Sequence, residues 1–194
     1  MSQGSISTGR REHLAIYAGS FDPITLGHLD VLRRARRLFD GIILAIGRNP
    51  DKPSLFSPEE RQQMAQLLVD EMLEADPDGC TVRVERYNGL TVDFARKVKA
   101  AAILRGIRNI TDLAAETQLA ITNRQVADIE TVFIVTGEQF AFTSSSLIQQ
   151  IAALGGPLDR LRSIVPALVI ERMKAKAADP KNPLGKLAQD RLVE

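Results

Sequence analysis

Five short strand-like runs alternate with segments of helical spacing, and this alternation is the feature that most limits the fold. Four of the runs are almost wholly apolar, namely Leu14–Ala18, Gly41–Ile46, Ala101–Leu104 and Thr131–Val135. The third run along the chain, Thr81–Arg86, alternates in β-branched residues. Short apolar runs of this kind are typical of strands that are covered on both faces of a parallel sheet. Strands that alternate with helices form right-handed βαβ units. The sequence therefore predicts an α/β protein with an open five-stranded parallel sheet and helices on both faces.

The helices are predicted from apolar spacing and from capping residues. A helix that starts at Gly27-His28 has an apolar face that extends to Phe39. Ser57-Pro58-Glu59-Glu60 is a capping box with proline at the first helical position, and it predicts a helix to about Ala75. Further helices are expected over about 91–99, from Thr111 or Asp112 to 125, over 144–154, and in shorter pieces to 178.

Composition is typical of one soluble domain. We expect a flexible leader over 1–13, a single domain over 14–178 and a tail over 179–194. The 25 Lys and Arg residues nearly balance the 24 Asp and Glu residues, which excludes a general attraction to nucleic acid or to an anionic membrane. The single cysteine, Cys80, cannot form an intramolecular disulfide. With no signal-peptide pattern and no membrane span in the sequence, we expect a cytoplasmic protein.

Residues that carry chemistry follow each of the predicted strands. They are the turn Gly19–His28, Lys52, Thr91, the segment Arg105–Arg108 and the segment Phe140–Ser146. Ligands of open α/β sheets bind beyond the carboxyl ends of the strands, so these five segments should line one crevice. Cationic side chains together with helix N-termini suit a polyphosphate, which needs several fixed donors at once.

Three motifs that are typical of other enzyme classes are absent from the sequence. The sequence has no Gly-x-x-x-x-Gly-Lys-Ser/Thr, no Gly-x-Gly-x-x-Gly after the first strand and no Gly-x-Ser-x-Gly. These absences weigh against a P-loop nucleotidase, a dinucleotide-dependent dehydrogenase and a serine hydrolase. His28 follows a glycine in a turn, which favours a functional role. Spacing alone leaves Lys52 equally consistent with a solvated loop charge.

The turn Gly19-Ser20-Phe21-Asp22-Pro23-Ile24-Thr25-Leu26-Gly27-His28 resembles the signature of the nucleotidylyltransferase superfamily. Within the superfamily, the form Thr25-Leu26-Gly27-His28 resembles the bacterial phosphopantetheine adenylyltransferase family, because most other members have His at the position of Thr25. Lys52, Arg105-Gly106-Ile107-Arg108 with Asp112 and Glu116, and Phe142–Ser146 match in register. The resemblance covers about Leu14 to Lys174 and implies a Rossmann-like fold.

The resemblance also implies an activity: reversible transfer of the adenylyl group of ATP to 4′-phosphopantetheine, which gives dephospho-coenzyme A and pyrophosphate. This is the penultimate step of coenzyme A biosynthesis. The catalytic residue would be His28, and the acceptor would be held by Ser20, Lys52, Thr91 and Arg105. ATP would be held by Ser20, Phe21, His28, Gly106, Ile107, Arg108, Glu116, Phe140, Ala141, Phe142, Thr143, Ser144, Ser145 and Ser146.

Three further expectations come from the resemblance alone. Mg²⁺ would be bound mainly through the ATP phosphates, with no protein ligand assigned to it. The chain would form a homohexamer, and coenzyme A would bind as a feedback inhibitor.

Three residues of the expected pockets differ from the family pattern. A larger apolar residue is common at the position of Thr91, an aromatic residue is frequent at the position of Ala115, and Trp is common at the position of Phe140.

Two other interpretations stay open from the sequence. A nicotinate mononucleotide adenylyltransferase shares Gly-Ser-Phe-Asp-Pro, but it normally has His at the position of Thr25 and Ser-Ser-Thr at the position of Ser144–Ser146. A non-catalytic nucleotide sensor would keep the fold and lose the reaction, which the intact His28, Lys52 and Arg105 argue against.

Overall fold

A computed structural model describes residues 12–47 and 54–179. Within these ranges, all strands are parallel and form one sheet in the order β3-β2-β1-β4-β5. The strands are β1 (Leu14–Gly19), β2 (Gly41–Ile46), β3 (Thr81–Arg86), β4 (Ala102–Ile107) and β5 (Glu130–Val135). The helices are α1 (Leu26–Ala35), α2 (Pro58–Ala75), α3 (Thr91–Lys97), α4 (Ile110–Ala127), α5 (Ser145–Ala153) and α6 (Ala167–Ala178), with single 3₁₀ turns at Glu138–Phe140 and Leu158–Leu161. The predicted fold class is confirmed.

Alternation along the strands divides the core between the two faces of the sheet. Tyr17 and Leu44 point to one face, where they pack against α1, α2, α5 and α6. Their neighbours Ile16 and Ile43 point to the other face, where they pack against α3 and the end of α4. Because side chains along a strand alternate between faces, an apolar residue at every position requires helices on both sides.

The strand order reverses between β1 and β4, which pair with each other through Ala15–Ala102 and Tyr17–Leu104. The chain moves outward from β1 through β2 to β3, and then crosses back to β4 on the other side. A reversal of this kind separates the loops that follow the two central strands and leaves a crevice between them. We therefore expect the functional site at the carboxyl ends of β1 and β4.

Several predicted boundaries were wrong by a few residues. β4 was expected to end at Leu104, but it continues to Ile107 because Gly106 and Ile107 pair with Ile134 and Val135 of β5. Arg105 and Gly106 are therefore strand residues, which holds their backbone more rigidly than a loop would.

Helix ends differed from expectation as well. α4 was expected to be capped by Thr111 or Asp112, but Asn109 is the N-cap, and its side chain accepts the N–H of Asp112 at 2.9 Å. α1 ends at Ala35, before the predicted Phe39. The capping box at Ser57 and Glu60 is confirmed, with both reciprocal hydrogen bonds present. Across the described ranges, every helix is too short or too polar to span a bilayer.

Candidate active site

A cleft of about 310 Å³ opens at the carboxyl ends of β1 and β4. It is lined by the turn that follows β1, the first residues of α1, the end of β4, the first half of α4 and the N-terminus of α5. The predicted site residues on its walls are Ser20, Phe21, His28, Arg105, Gly106, Arg108, Glu116, Phe140, Thr143, Ser144, Ser145 and Ser146. The expected convergence of strand-end segments is thus present for three of the five segments.

His28 lies in the first turn of α1 and forms part of its N-terminal cap. Thr25, the N-cap residue, donates its backbone N–H to His28 Nδ1 at 3.0 Å, and its hydroxyl oxygen lies 3.0 Å from the same atom. The hydroxyl oxygen also accepts the backbone N–H of His28 at 3.3 Å. A backbone amide can only donate, so Nδ1 is an acceptor and the ring proton is on Nε2.

The imidazole of His28 is held in its neutral form. Burial lowers the pKa of His28 to about 4, and the positive charges of Arg108 and Arg105 act in the same direction. The ring also packs edge-on against Phe21, with the centroids 5.1 Å apart. At neutral pH, His28 is therefore a donor of one hydrogen bond through Nε2 and not a cation.

The two arginines of the cleft are paired with carboxylates of α4. Arg105 Nε donates to Glu116 at 2.7 Å, its Nη2 donates to the other oxygen of Glu116, and its Nη1 donates to the carbonyl of Ala18. Arg108 donates to both oxygens of Asp112, at 2.7 and 2.9 Å. Each guanidinium has five N–H donors, so each retains donors that are not used by its carboxylate.

The N-terminus of α5 forms another part of the cleft wall. Ser144 is its N-cap and accepts the N–H of Leu147 at 3.0 Å, while the Ser145 hydroxyl donates to the carbonyl of Pro23 at 2.8 Å. The hydrogen of the Ser145 hydroxyl is thus used within the protein, whereas the Ser144 hydroxyl keeps its own hydrogen. The backbone N–H groups of Ser145 and Ser146, in the first turn of the helix, have no hydrogen bond among the described residues and point along the helix dipole.

Buried polar groups support the turn that follows β1. The Asp22 carboxylate accepts the N–H groups of Leu55 and Phe56 at 2.8 and 3.0 Å. Burial raises the pKa of Asp22, against the lowering effect of these two donors. Arg61, which is buried in α2, donates through Nη1 to the carbonyls of Ser20 and Gly47 at 2.7 and 3.0 Å. The turn is therefore tied both to the end of β2 and to the chain that leads into α2.

Four predicted site residues do not line the cleft. Ile107 is buried at the end of β4, whereas the Phe142 side chain is 92% exposed and Ala141 lies beside it in the loop before α5. Thr91 begins α3, and its hydroxyl lies 2.7 Å from the hydroxyl of Tyr87. Lys52 lies outside the described residues.

Two cleft residues were missed from the sequence. Tyr17 lies on β1 with its hydroxyl next to Gly106, and burial raises its pKa above the ordinary range. Thr136, just after β5, lines the cleft, and its buried hydroxyl has no partner in the described part of the chain. A tyrosine within an otherwise apolar buried strand could have indicated a cleft position, because its buried hydroxyl needs a hydrogen-bond partner.

The chain is similar in sequence to proteins of one enzyme family. A cytidylyltransferase-like family model matches residues 16–151. Phosphopantetheine adenylyltransferase from Rhodopirellula baltica is 47% identical over 173 residues, which cover 89% of this chain and 93% of that protein. The protein of the same name from Geobacter metallireducens is 43% identical over 169 residues, which cover 87% and 98%. The chain belongs to the phosphopantetheine adenylyltransferase family. The family predicted from Thr25-Leu26-Gly27-His28 is confirmed.

Solved structures agree with the fold of this phosphopantetheine adenylyltransferase family member. The bifunctional NMN adenylyltransferase/ADP ribose pyrophosphatase complexed with AMP and Mn ion from Francisella tularensis superposes with a TM-score of 0.62 at 17% identity, covering 94% of this chain and 54% of that one. The Plasmodium falciparum nicotinic acid mononucleotide adenylyltransferase complexed with NaAD gives a TM-score of 0.52 at 17% identity, covering 86% and 97%. At this identity the likeness is one of fold alone.

Proposed function

We propose that the protein transfers the adenylyl group of ATP to 4′-phosphopantetheine and releases dephospho-coenzyme A and pyrophosphate. An oxygen of the acceptor phosphate attacks the α-phosphorus in line, and the bond from that phosphorus to the bridging oxygen of the β-phosphate breaks. The nucleophile is already an anion, so the reaction needs no general base and no covalent enzyme intermediate. The family of the chain supports the choice of substrates.

The observation that carries the proposal is the state of His28. A neutral imidazole at the N-terminus of α1, with Nδ1 occupied by Thr25 and Nε2 protonated, is a donor that is already oriented. Negative charge grows on the α-phosphate oxygens in the transition state, and a fixed donor stabilises that charge without reorganising. We therefore assign His28 to the α-phosphate as a transition-state stabiliser. Because its Nδ1 is occupied, His28 has no role as a base in this account.

Arg105 is proposed to hold the acceptor phosphate. Three of its donors are used by Glu116 and by the carbonyl of Ala18, and two of five remain for a ligand. The bidentate contact with Glu116 fixes the plane of the guanidinium at the end of β4. Ser20, at the end of the neighbouring β1, is proposed to donate its hydroxyl to phosphate between the two substrates. Lys52 and Thr91 keep their proposed places at the acceptor phosphate and the pantetheine arm.

ATP is proposed to lie between β4 and the N-terminus of α5. The free N–H groups of Ser145 and Ser146 and the helix dipole support binding of the β- and γ-phosphates there. Gly106, Ile107 and Arg108 with Glu116 are proposed to hold the nucleoside, together with Phe21. The loop from Phe140 to Thr143 is proposed to wrap the triphosphate. Because the Ser145 hydroxyl donates to Pro23, we assign the phosphate contact at Ser145 to its backbone N–H group. The Ser144 hydroxyl only accepts, so it keeps its hydrogen for a phosphate oxygen.

Charge in the cleft favours ATP that arrives with its own metal. The charged side chains on the described walls are Arg105, Arg108, Asp112 and Glu116, and their formal charges cancel. In the part of the chain that the structure describes, no group of three or more His, Cys, Asp or Glu residues is placed to hold a metal ion. Both observations fit Mg²⁺ that is held by phosphate oxygens and water, where it neutralises charge on the triphosphate.

Self-association is supported by α4. Its exposed side chains include Leu113, Leu119, Ile121 and Val126, which are between 42% and 56% exposed. A helix with apolar residues around most of its circumference is usually covered in the functional assembly. We propose a homo-oligomer; the hexamer itself comes from the resemblance. Two further proposals accompany it, namely feedback binding of coenzyme A and a cytoplasmic location, where ATP is available.

The activity is tested by pyrophosphate release from ATP with three acceptors in parallel. We expect release with 4′-phosphopantetheine and none with pantetheine, which is the matched control without the nucleophilic phosphate. Nicotinate mononucleotide is the third acceptor. Turnover with nicotinate mononucleotide alone would overturn the acceptor assignment, and ATP binding without turnover on any acceptor would indicate a sensor.

A further inference from the structure

Thr25 makes an unusual set of contacts for a residue that caps a helix. It is 3% exposed, and three of its hydrogen bonds go to the single residue His28. In the common capping box, the residue at the third helical position is Glu or Gln, whose side chain reaches back to the N-cap amide. Here that position is occupied by His28. The cap of α1 and the donor at the cleft are therefore the same side chain.

The chemistry of these contacts selects one form of the imidazole. The Thr25 amide presents a hydrogen to Nδ1, so a hydrogen on Nδ1 would face it and both groups would lose their bond. The hydroxyl of Thr25 accepts the N–H of His28 through a lone pair, which leaves its own hydrogen free for Nδ1. Two donors thus converge on Nδ1, and the ring proton stays on Nε2. The ring plane is fixed at the same time.

We propose that Thr25 is a positioning residue that sets the tautomer and orientation of His28, so that Nε2–H is the group presented to the phosphate. The assignment of a phosphate to His28 rests on the proposed function. The tautomer itself depends only on contacts within residues 25–28, and it can be measured without turnover.

The first test is ¹⁵N NMR of histidine-labelled protein at pH 7. The chain has two histidines, and the variant His13→Gln assigns the signals by removing one set. We expect His28 to show a non-protonated Nδ1 and a protonated Nε2, which have well-separated ¹⁵N shifts. A protonated Nδ1 would overturn the proposal. Because this measurement leaves Thr25 unchanged, it tests the tautomer of His28 even if a Thr25 variant fails to fold.

The second test compares Thr25→Val with Thr25→Ser. Valine keeps the shape of threonine and removes the hydroxyl, whereas serine keeps the hydroxyl. We expect Thr25→Val to lower kcat about tenfold with little change in KM for ATP, the scale of one lost neutral hydrogen bond. The backbone N–H of residue 25 still donates to Nδ1 in Thr25→Val, so we expect Nδ1 to stay unprotonated, with a changed ¹⁵N shift because one of its two donors is lost. Thr25→Ser should restore kcat to within about twofold and restore the wild-type ¹⁵N shift of Nδ1.

Two outcomes would overturn the role of Thr25. One is a Thr25→Val protein with unchanged kcat and an unchanged ¹⁵N shift of His28 Nδ1. The other is a Thr25→Ser protein that loses as much activity as Thr25→Val, because the hydroxyl would then be irrelevant. If the proposed function fails, the wild type is inactive on 4′-phosphopantetheine. The difference in the Nδ1 ¹⁵N shift between wild type and Thr25→Val would still support this inference.

Discussion

Replacing His28 with alanine should lower kcat by about 10²–10³ while ATP still binds. Removal of one preoriented donor to a developing oxyanion has an effect of this size, about 2.7–4 kcal/mol. The structure supports the upper part of the range, because Thr25 holds Nδ1 at 3.0 Å and the ring is packed against Phe21. A donor that is fixed in advance contributes more than a mobile one. The change also leaves the Thr25 amide without its acceptor, which should cost about 1–2 kcal/mol of folding stability.

The assay is steady-state pyrophosphate release with both substrates varied, together with equilibrium binding of ATP. His13→Gln is the matched control, because His13 is exposed and its ring only approaches Asp40, at 3.6 Å. We expect the control to keep wild-type kcat and His28→Ala to keep the Kd for ATP within a few-fold. A His28→Ala protein that is folded and has near wild-type kcat would refute the role given to His28.

Three other predictions concern stability and the two subsites. The pKa of His28 is lowered from 6.5 to about 4, so the folded state resists protonation of this residue. The contribution of neutral His28 to the free energy of unfolding is therefore complete above pH 6.5 and is lost as the pH falls towards 4. Between pH 7 and 5 the free energy of unfolding should fall by about 2 kcal/mol more in the wild type than in His28→Gln, and equal falls in urea titrations would contradict the shift. Arg105→Ala should chiefly raise KM for 4′-phosphopantetheine. It should also lower the free energy of unfolding by about 2 kcal/mol, because Glu116 loses its partner. An unchanged KM for 4′-phosphopantetheine with a large loss of ATP affinity would mean that the two subsites are reversed. Ser144→Ala should remove the cap of α5, lower the free energy of unfolding by about 1 kcal/mol and raise KM for ATP several-fold. The control Gln150→Ala, on the exposed side of the same helix, should change neither quantity. Equal KM values for ATP in the two variants would argue against triphosphate binding at this helix end.

Local sequence rules were sufficient for most of the fold. The apolar strands are covered on both faces, and this requirement is visible in residues such as Ile42, Ile43 and Leu44, which alternate between the two cores. The capping box at Ser57 and Glu60 depends on contacts within four residues, so it could be predicted without any knowledge of the tertiary structure. The end of β4 could not, because Gly106 and Ile107 are ordered by pairing with β5, which follows far along the chain.

The site was predictable in its location and less so in its partners. Parallel strands bring Ser20, His28, Arg105 and Ser144 to one edge, and that follows from order along the chain. Which hydrogen bonds each side chain makes depends on neighbours that are distant in sequence. The Ser145 hydroxyl, for example, donates to the carbonyl of Pro23, 122 residues away. Sequence patterns that assign hydroxyls to phosphate cannot account for such competition.

The most direct test of the proposed reaction is identification of its products. Wild-type protein is incubated with ATP, Mg²⁺ and 4′-phosphopantetheine, and the mixture is analysed by mass spectrometry and by a pyrophosphate assay. We predict dephospho-coenzyme A and pyrophosphate in equal amounts, with formation of both strongly reduced in His28→Ala. Release of ADP or phosphate, or pyrophosphate without dephospho-coenzyme A, would contradict the account.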